Sequence, residues 1–212
     1  MTDVKICGLK TPEAVDAALA GGARWIGFMI LPKSPRYIPP REVEALAARA
    51  RGRADVVAVT VDADDALLAE IQAAFSPDLI QLHGAETPSR VTAARRFARK
   101  GVIKVLPIAR AEDFAPVAAF EPVADMLMFD AKAPPNADRT GGHGVAFDWK
   151  LLSGKRFSRP WLLAGGLNPE NVASALSQSG APALDVSSGV ESAPGVKDAG
   201  RIADFLAAAK RA

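Results

Sequence analysis

The amino-acid sequence predicts an α/β fold, a single-domain (β/α)8 TIM barrel with parallel strands that spans residues 1–212. A short apolar run recurs eight times, each starting about 20 to 35 residues after the last. A polar loop and an alanine-rich segment typical of a helix follow most runs. This alternation requires parallel strands joined by crossovers. An open doubly wound sheet is the alternative, but no Gly-x-Gly-x-x-Gly motif follows the first run.

The predicted strands are apolar along most of their length, as expected for strands that are covered on both faces. In chain order they occupy residues 4–8, 25–31, 56–62, 79–84, 102–108, 126–132, 161–167 and 183–190.

Three of the predicted helices have a recognisable start. Thr11-Pro12 and Thr87-Pro88 each place an N-cap residue before a first-turn proline, and Asn168-Pro169 repeats the pattern. The sixth helix is the weakest prediction, because residues 133–146 are loop-like and only residues 147–153 are helical in character.

The composition limits the classes of function. With 26 Lys and Arg against 24 Asp and Glu, the net charge of +2 is too small to indicate a nucleic-acid or membrane partner. No leader is recognisable, and no apolar run approaches the ~18 residues of a membrane span. The single cysteine excludes an internal disulfide and favours the cytoplasm. With two histidines and one cysteine, a metal cluster is not expected.

Chemically unusual residues fall where the predicted strands end, which is where (β/α)8 barrels carry their active sites. These residues are Cys7, Asp62, His83, Asp130, the Gly165-Gly166 pair, and Ser187-Ser188-Gly189, with Arg36 in the loop after the second strand. We therefore expect an active site at this end of the barrel.

The ends of the last two strands predict a phosphate site. Gly165 and Gly166 precede a helix, and Ser187, Ser188 and Gly189 follow the eighth strand. Glycines allow backbone N–H groups to approach an anion, and helix N-termini favour negative charge. Tight turns without a ligand are the alternative.

Cys7 is a candidate base or nucleophile, although a free cysteine is commonly a small buried hydrophobe. Lys5 shares its face of the strand, and an ammonium group there would lower the thiol pKa and favour thiolate. Asp185 on the neighbouring eighth strand is a possible partner of Lys5 that would weaken this effect.

Asp130 and Arg36 are the other candidates. The apolar residues before Asp130 would raise its pKa and suit a proton donor, whereas Lys132 would act in the opposite direction; a loop cap is the alternative. Arg36 lies in a proline-rich loop and suits a carboxylate or a second phosphate, unless it is solvated. His83 is equally expected to be a hydrogen-bonded strand-end residue. Gly141–Gly144 could close over a ligand or be a simple connector.

Together these motifs resemble one known family, that of phosphoribosylanthranilate isomerase. The matching segments, in order along the whole chain, are KICG (5–8), GF and SPRY (27–37), QLHGAE (81–86), FD (129–130), FDW (147–149), AGGLNPENV (164–172), DVSSGVES (185–192) and KD (197–198). The resemblance implies a barrel without metal or cofactor that acts in tryptophan biosynthesis.

The resemblance also implies the substrate, the reaction and the roles of the residues. N-(5-phosphoribosyl)anthranilate would become 1-(2-carboxyphenylamino)-1-deoxyribulose 5-phosphate by an Amadori rearrangement. Cys7 would be the general base, Asp130 the general acid and Arg36 the contact of the anthranilate carboxylate, while the glycine and serine loops would hold the phosphate. The only partner implied is this phosphorylated small molecule, and both monomers and homodimers occur in the family.

Two positions depart from the family's usual pattern, since Asp62 replaces an asparagine and His143 a threonine or asparagine. The alternatives are another phosphosugar barrel enzyme of the histidine or tryptophan pathway, or an inactive barrel that serves as a binding protein. An intact set of Cys7, Arg36 and Asp130 favours the isomerase.

Overall fold

Eight parallel strands close into a barrel in chain order in a computed structural model that describes residues 2–132 and 146–212. The strands are β1 (Asp3–Cys7), β2 (Trp25–Met29), β3 (Asp55–Thr60), β4 (Leu79–Leu82), β5 (Gly101–Ile108), β6 (Met126–Ala131), β7 (Trp161–Leu163) and β8 (Ala183–Val186). Because β8 pairs in parallel with β1, the predicted barrel is confirmed and the open doubly wound sheet is excluded.

Helices surround the barrel and are shortest after β5 and β6. The α-helices are α1 (Pro12–Ala20), α2 (Pro40–Ala50), α3 (Asp65–Phe75), α4 (Pro88–Ala94), α5 (Val117–Phe120), α6 (Val172–Ser179) and α7 (Ala199–Arg211). A small antiparallel hairpin of β9 (Glu191–Ala193) and β10 (Val196–Lys197) lies between β8 and α7. No helix in residues 2–132 and 146–212 is long and apolar enough to cross a membrane.

Two of the three predicted helix starts are confirmed, and the third is wrong. The hydroxyls of Thr11 and Thr87 accept hydrogen bonds from backbone N–H groups three residues later, each at 3.3 Å. In contrast, Asn168 does not begin α6. Its side chain accepts from the N–H of Asn171 at 2.8 Å, and the side chain of Asn171 accepts from the N–H of Asn168 at 2.9 Å. The bond to the Asn168 side chain has the same three-residue spacing as the two threonine caps, but residues 169–171 form a turn and the α-helix begins only at Val172.

The weak sixth connection ends in a single turn of 3-10 helix over Trp149–Leu152, inside the segment expected to be helical. The side chain of Asp148 accepts from the N–H of Lys150 at 3.1 Å and begins this turn. The predicted closing loop, Gly141–Gly144 with His143, lies outside the described residues.

Alternation along the strands produces an interior core and an outer layer against the helices. The interior contains Cys7 with apolar side chains from most of the other strands, among them Trp25, Val59, Ile103, Met128 and Leu162. The outer layer is the larger core and includes Phe28, Phe75, Phe129 and Phe205. Since Lys5 and Cys7 are two residues apart, both point into the barrel.

A buried ion pair joins β5 to the segments that follow β3 and β4. Lys104 Nζ donates to Glu86 Oε2 at 2.6 Å and to the carbonyl of Gly84 at 2.7 Å. Glu86 Oε1 also accepts from the N–H groups of Asp62 and Gly84, at 3.0 and 3.1 Å. Burial opposes ionisation of Glu86, but Lys104 outweighs it and holds the pKa of Glu86 below its usual range.

Replacing Glu86 with glutamine should reduce the free energy of unfolding at pH 7 by about 3 kcal/mol, because Lys104 stays buried without its counter-charge. A carboxyl whose pKa is lowered in the folded protein stabilises the fold fully at pH values above its unfolded-state pKa of about 4.3. This stabilisation is lost as the pH falls from there through its folded-state pKa. The difference between wild type and Glu86→Gln should therefore shrink at pH 3.5. Urea unfolding at both pH values measures it.

Glu112→Gln is the matched control, because Glu112 is exposed and its distance from Arg110 is 3.8 Å. It should change the free energy of unfolding by less than about 0.5 kcal/mol. Two outcomes would contradict a stabilising ion pair between Glu86 and Lys104. One is an equal loss of unfolding free energy in both variants, and the other is a loss in Glu86→Gln that does not depend on pH.

Candidate active site

The Cys7 thiol lies inside the barrel next to an ion pair. Lys5 Nζ donates to Asp185 Oδ1 at 2.8 Å, so the partner expected for Lys5 is confirmed. A side-chain carbon at Gly27 of β2 would lie 3.0 Å from Lys5 Nζ and 3.2 Å from Cys7 Sγ. The ammonium and the thiol therefore converge on one position, and glycine at residue 27 leaves room for both.

The net effect of this environment on Cys7 is opposite to the sequence-based expectation. Burial raises the pKa of the Cys7 thiol, and the positive charges of Lys5 and Lys197 only partly oppose it. Asp185 adds to the rise. Burial lowers the pKa of Lys5, but the negative charge of its partner Asp185 contributes most to the opposing effects, and the pKa of Lys5 is raised overall. Cys7 therefore rests as a thiol at neutral pH.

Asp130 ends β6 with its side chain turned into the mouth of the barrel, where it is largely buried. His83, directly after β4, places Nε2 3.2 Å from Asp130 Oδ2. The backbone N–H of Ala131 donates to Oδ1 at 2.8 Å. Lys132, which was considered as a neighbour of Asp130, instead contacts Asp113 at 3.2 Å. His83 is thus the side chain that directly contacts the candidate acid.

Arg36 is buried rather than solvated. Its Nε and Nη2 donate to the two carboxylate oxygens of Glu191 at 2.7 and 2.9 Å. The sequence therefore predicted that Arg36 contacts a carboxylate of a ligand, but it did not predict the contact with the protein's own carboxylate of Glu191. The signal was present, since Glu191 follows the Ser-Ser-Gly-Val motif, but no spacing rule pairs residues 155 positions apart.

The hairpin after β8 brings a second cation to Glu191. Lys197 Nζ donates to Glu191 Oε1 at 2.7 Å and to the carbonyl of Ser187 at 2.8 Å. Burial opposes ionisation of Glu191, but Arg36 and Lys197 outweigh it and hold the pKa of Glu191 below its usual range. Lys197 is a second residue that the sequence did not single out by its chemistry.

The loops after β7 and β8 form a continuous surface beside these residues. Gly165 and Gly166 both have positive φ, 90° and 68°, and a side-chain carbon at Gly165 would lie 3.0 Å from Asp130 Oδ1. A side-chain carbon at Gly189 would lie 1.9 Å from the carbonyl oxygen of Leu167. Glycine is therefore required at these two contacts. Ser188 lies in this surface, half-buried.

The hydroxyl of Ser187, a residue expected to hold the phosphate, is bonded within the protein. Its hydroxyl donates to the carbonyl of Cys7 at 3.1 Å, so it connects the eighth strand to the first. Asn171 Nδ2 donates to the carbonyl of Gly166 at 2.8 Å and holds the other loop. The geometry leaves backbone groups of residues 165–166 and 188–189 as the candidate anion contacts.

The arrangement can exchange protons with a small molecule held at both ends. Cys7 on β1 and Asp130 on β6 stand three strands apart around the barrel mouth. Arg36 packs against Gly8, the residue after Cys7, and Gly165 closely approaches Asp130. Within residues 2–132 and 146–212, no three His, Cys, Asp or Glu side chains are placed to hold a metal ion. The fold and site define a (β/α)8 barrel with a thiol, a carboxyl, a buried guanidinium and two glycine-containing loops at one end.

The sequence profile of the N-(5'phosphoribosyl)anthranilate (PRA) isomerase family matches residues 4–208. The chain belongs to this family. An N-(5'-phosphoribosyl)anthranilate isomerase of Rhizobium meliloti (strain 1021) is 50% identical over 211 residues, which cover 100% of this chain and 98% of that protein. One of Brucella canis is 50% identical over 97% of this chain and 93% of its own length.

Solved structures agree with the family. Phosphoribosyl anthranilate isomerase from Thermotoga maritima has a TM-score of 0.88 at 32% identity, with 100% of each chain covered. A phosphoribosyl anthranilate isomerase in complex with reduced 1-(o-carboxyphenylamino)-1-deoxyribulose 5-phosphate has a TM-score of 0.86 at 30% identity, again over 100% of each chain.

The raised pKa of Cys7 predicts slow alkylation at neutral pH. The rate with iodoacetamide should increase as the pH rises, with a midpoint above the usual cysteine value of about 8.5. Because Cys7 is the only cysteine of the chain, the loss of free thiol reports this residue alone. Urea-unfolded protein is the control and should show the usual midpoint. If the pH midpoint of alkylation in the folded protein is at or below that of the unfolded protein, the pKa of Cys7 is not raised.

Proposed function

We propose that this chain converts N-(5'-phosphoribosyl)anthranilate into 1-(2-carboxyphenylamino)-1-deoxyribulose 5-phosphate in tryptophan biosynthesis, with Asp130 as general acid and Cys7 as general base. Membership of the family gives the reaction. The observation that carries the residue roles is the position of one carboxyl and one thiol on separate strands of the same barrel mouth. An aldose–ketose rearrangement needs one acid and one base at neighbouring atoms of a small sugar.

The acid acts in the first step. The lone pair of the anthranilate nitrogen forms a double bond to C1 as the bond from C1 to the ring oxygen breaks. The electron pair of that bond remains on the ring oxygen, which takes the proton of Asp130. Contact with His83 at 3.2 Å and with the N–H of Ala131 fixes the direction of the Asp130 carboxyl. The product of this step is an open-chain Schiff base.

The base acts in the second step. The Cys7 thiolate removes the proton from C2, the C–H electron pair forms the C1–C2 double bond, and the nitrogen recovers its lone pair. The enolamine then tautomerises to the ketone. A raised thiol pKa limits the thiolate fraction but makes the thiolate a stronger base once it forms. The reaction moves protons and electron pairs within one molecule, so the proposal includes no cofactor.

The substrate is held at both ends in this proposal. Arg36 contacts the anthranilate carboxylate, because Glu191 engages its Nε–Nη2 edge and leaves the terminal edge of the guanidinium to the ligand. The backbone of Gly165, Gly166, Ser188 and Gly189 holds the phosphate, and Ser187 supports this loop through its bond to Cys7. Anchoring both ends fixes C1 and C2 between acid and base.

The remaining assignments follow from the chemistry and the relatives. The partner is a phosphorylated small molecule, and the proposal includes neither nucleic acid nor membrane. A single cysteine supports a reducing cytoplasm. Residues 1–212 are proposed to form one domain, since the last helix packs on the first. The Thermotoga maritima isomerase is described as dimeric and has also been made as monomers, so a monomer or a homodimer is proposed here.

The loss of anthranilate fluorescence on mixing purified protein with freshly made phosphoribosylanthranilate, with EDTA present, tests the reaction. Rapid loss above the spontaneous rate, with formation of the deoxyribulose product, is the expected result. Absence of turnover would instead direct the search to another phosphosugar substrate.

Replacing either Cys7 or Asp130 with alanine should lower kcat by about 10²-fold or more with KM largely kept, as expected for a general acid or base. Steady-state kinetics measure both constants. Asp113→Asn is the control, because Asp113 is a nearby carboxylate that contacts Lys132 rather than Asp130. Near-normal turnover of either alanine variant would remove that residue from the mechanism.

Replacing Arg36 with alanine should raise KM about 10- to 100-fold, the range expected when a charge-assisted contact is lost, and change kcat much less. The KM of Arg36→Lys should lie between those of the wild type and Arg36→Ala, since lysine keeps the positive charge but lacks the planar guanidinium. A fall in kcat at unchanged KM would contradict the carboxylate-binding role.

A further inference from the structure

Three buried charged side chains form one cluster beside the base. We call Arg36, Glu191 and Lys197 the Glu191 cluster, because Glu191 accepts from both cations at 2.7 Å. No side chain of the three is more than 5% exposed. Burying three charges is costly unless they neutralise one another. One carboxylate against two cations leaves a net positive charge of one in this cluster.

The cluster reaches Cys7 through a single residue. Lys197 Nζ donates to the carbonyl of Ser187 at 2.8 Å and approaches its hydroxyl at 3.3 Å. That hydroxyl in turn donates to the carbonyl of Cys7 at 3.1 Å. Arg36 packs against Gly8, the residue after Cys7. The ammonium group of Lys197 is thereby connected through Ser187 to the backbone of Cys7.

The other charges around Cys7 largely cancel. On its own strand, Lys5 is paired with Asp185 of β8 at 2.8 Å. The adjacent strand β2 contributes the uncharged Gly27. From β10 comes Lys197, whose partner Glu191 on β9 is shared with Arg36 of the loop after β2. The side of Cys7 that faces the hairpin therefore carries the unbalanced positive charge.

We propose that Lys197 is a positioning residue that stabilises the thiolate of Cys7, and that Glu191 holds Lys197 and the carboxylate-binding Arg36 in one fixed arrangement. This inference rests on the proposed role of Cys7 as the general base. It extends the site to the β9–β10 hairpin.

The directions of the pKa shifts of the two residues agree with this geometry. The charge of Lys197 lowers the pKa of Cys7 against the larger, opposite effect of burial. Burial lowers the pKa of Lys197 itself, and Glu191 opposes that fall. Glu191 thus keeps the lysine charged in a site where burial favours the neutral amine.

Replacing Lys197 with glutamine should raise the midpoint pH of Cys7 alkylation by about one unit, which is a tenfold slower reaction at pH 8. Glutamine keeps a donor for Ser187, and Glu191 stays paired with Arg36, so no buried carboxylate is left alone. If Lys197→Gln does not fold, Lys197→Met is a second variant that removes the same positive charge. Iodoacetamide kinetics from pH 6 to 10 need no substrate and measure Cys7 alone.

Lys104→Gln is the matched control, because Lys104 is also buried and paired with a glutamate at 2.6 Å, but this pair joins β5 to the loop after β4. Its alkylation midpoint should equal that of the wild type. An unchanged midpoint in the Lys197 variants, or one that shifts equally in Lys104→Gln, would overturn the inference.

Turnover separates this inference from the proposed function. In Lys197→Gln the rise of kcat with pH should move upward with the alkylation midpoint and approach the wild-type value at high pH, which a purely structural defect would not produce. A shifted alkylation midpoint in a protein without turnover would support the Lys197 contact and overturn the isomerase assignment. Normal turnover with an unshifted pH profile would overturn the role of Lys197 alone.

Discussion

The ion pair between Lys5 and Asp185 is the interaction on which the site depends. It lies inside the barrel and joins the first strand to the last, where the barrel closes. Two buried charges of opposite sign are tolerated there because each satisfies the other. The pair also places a neutralised ammonium next to Cys7, which leaves burial as the dominant influence on the thiol.

The mouth of the barrel is built on that closure. The hydroxyl of Ser187 continues the connection between the strands β1 and β8 one layer higher. Above it, Lys197 and Glu191 attach the β9–β10 hairpin to Arg36. On the other side, the close approach of Gly165 to Asp130 attaches the loop after β7 to the candidate acid. Cys7, Asp130, Arg36 and the loops after β7 and β8 are therefore parts of one connected structure.

The sequence was informative where a local rule decides the structure. Apolar runs and alternation were sufficient for the eight strands and for the inward direction of Cys7. The caps at Thr11 and Thr87 depend only on residues three positions apart, and both were predicted. The Asn168 side chain also accepts from the N–H three residues later, but residues 169–171 form a turn before α6 begins at Val172, which a cap–proline pattern does not predict.

The site was less predictable where distant residues balance one another. The bidentate contact of Arg36 with Glu191, and the approach of His83 to Asp130, join residues far apart in the chain. The direction of the Cys7 pKa shift required the sum of burial, two lysines and one aspartate, whereas the sequence indicated Lys5 and its possible partner Asp185 but neither the weight of burial nor Lys197. Spacing alone cannot weigh such opposing effects.

A crystal structure of this chain with reduced 1-(o-carboxyphenylamino)-1-deoxyribulose 5-phosphate would test the account most directly. The account predicts the ligand carboxylate on Arg36 with Glu191 still in place, and the phosphate on the backbone of residues 165–166 and 188–189. Cys7 Sγ should lie within about 3.5 Å of C2, the distance needed for proton transfer. A ligand that displaces Glu191, or that places C2 out of reach of Cys7, would contradict it.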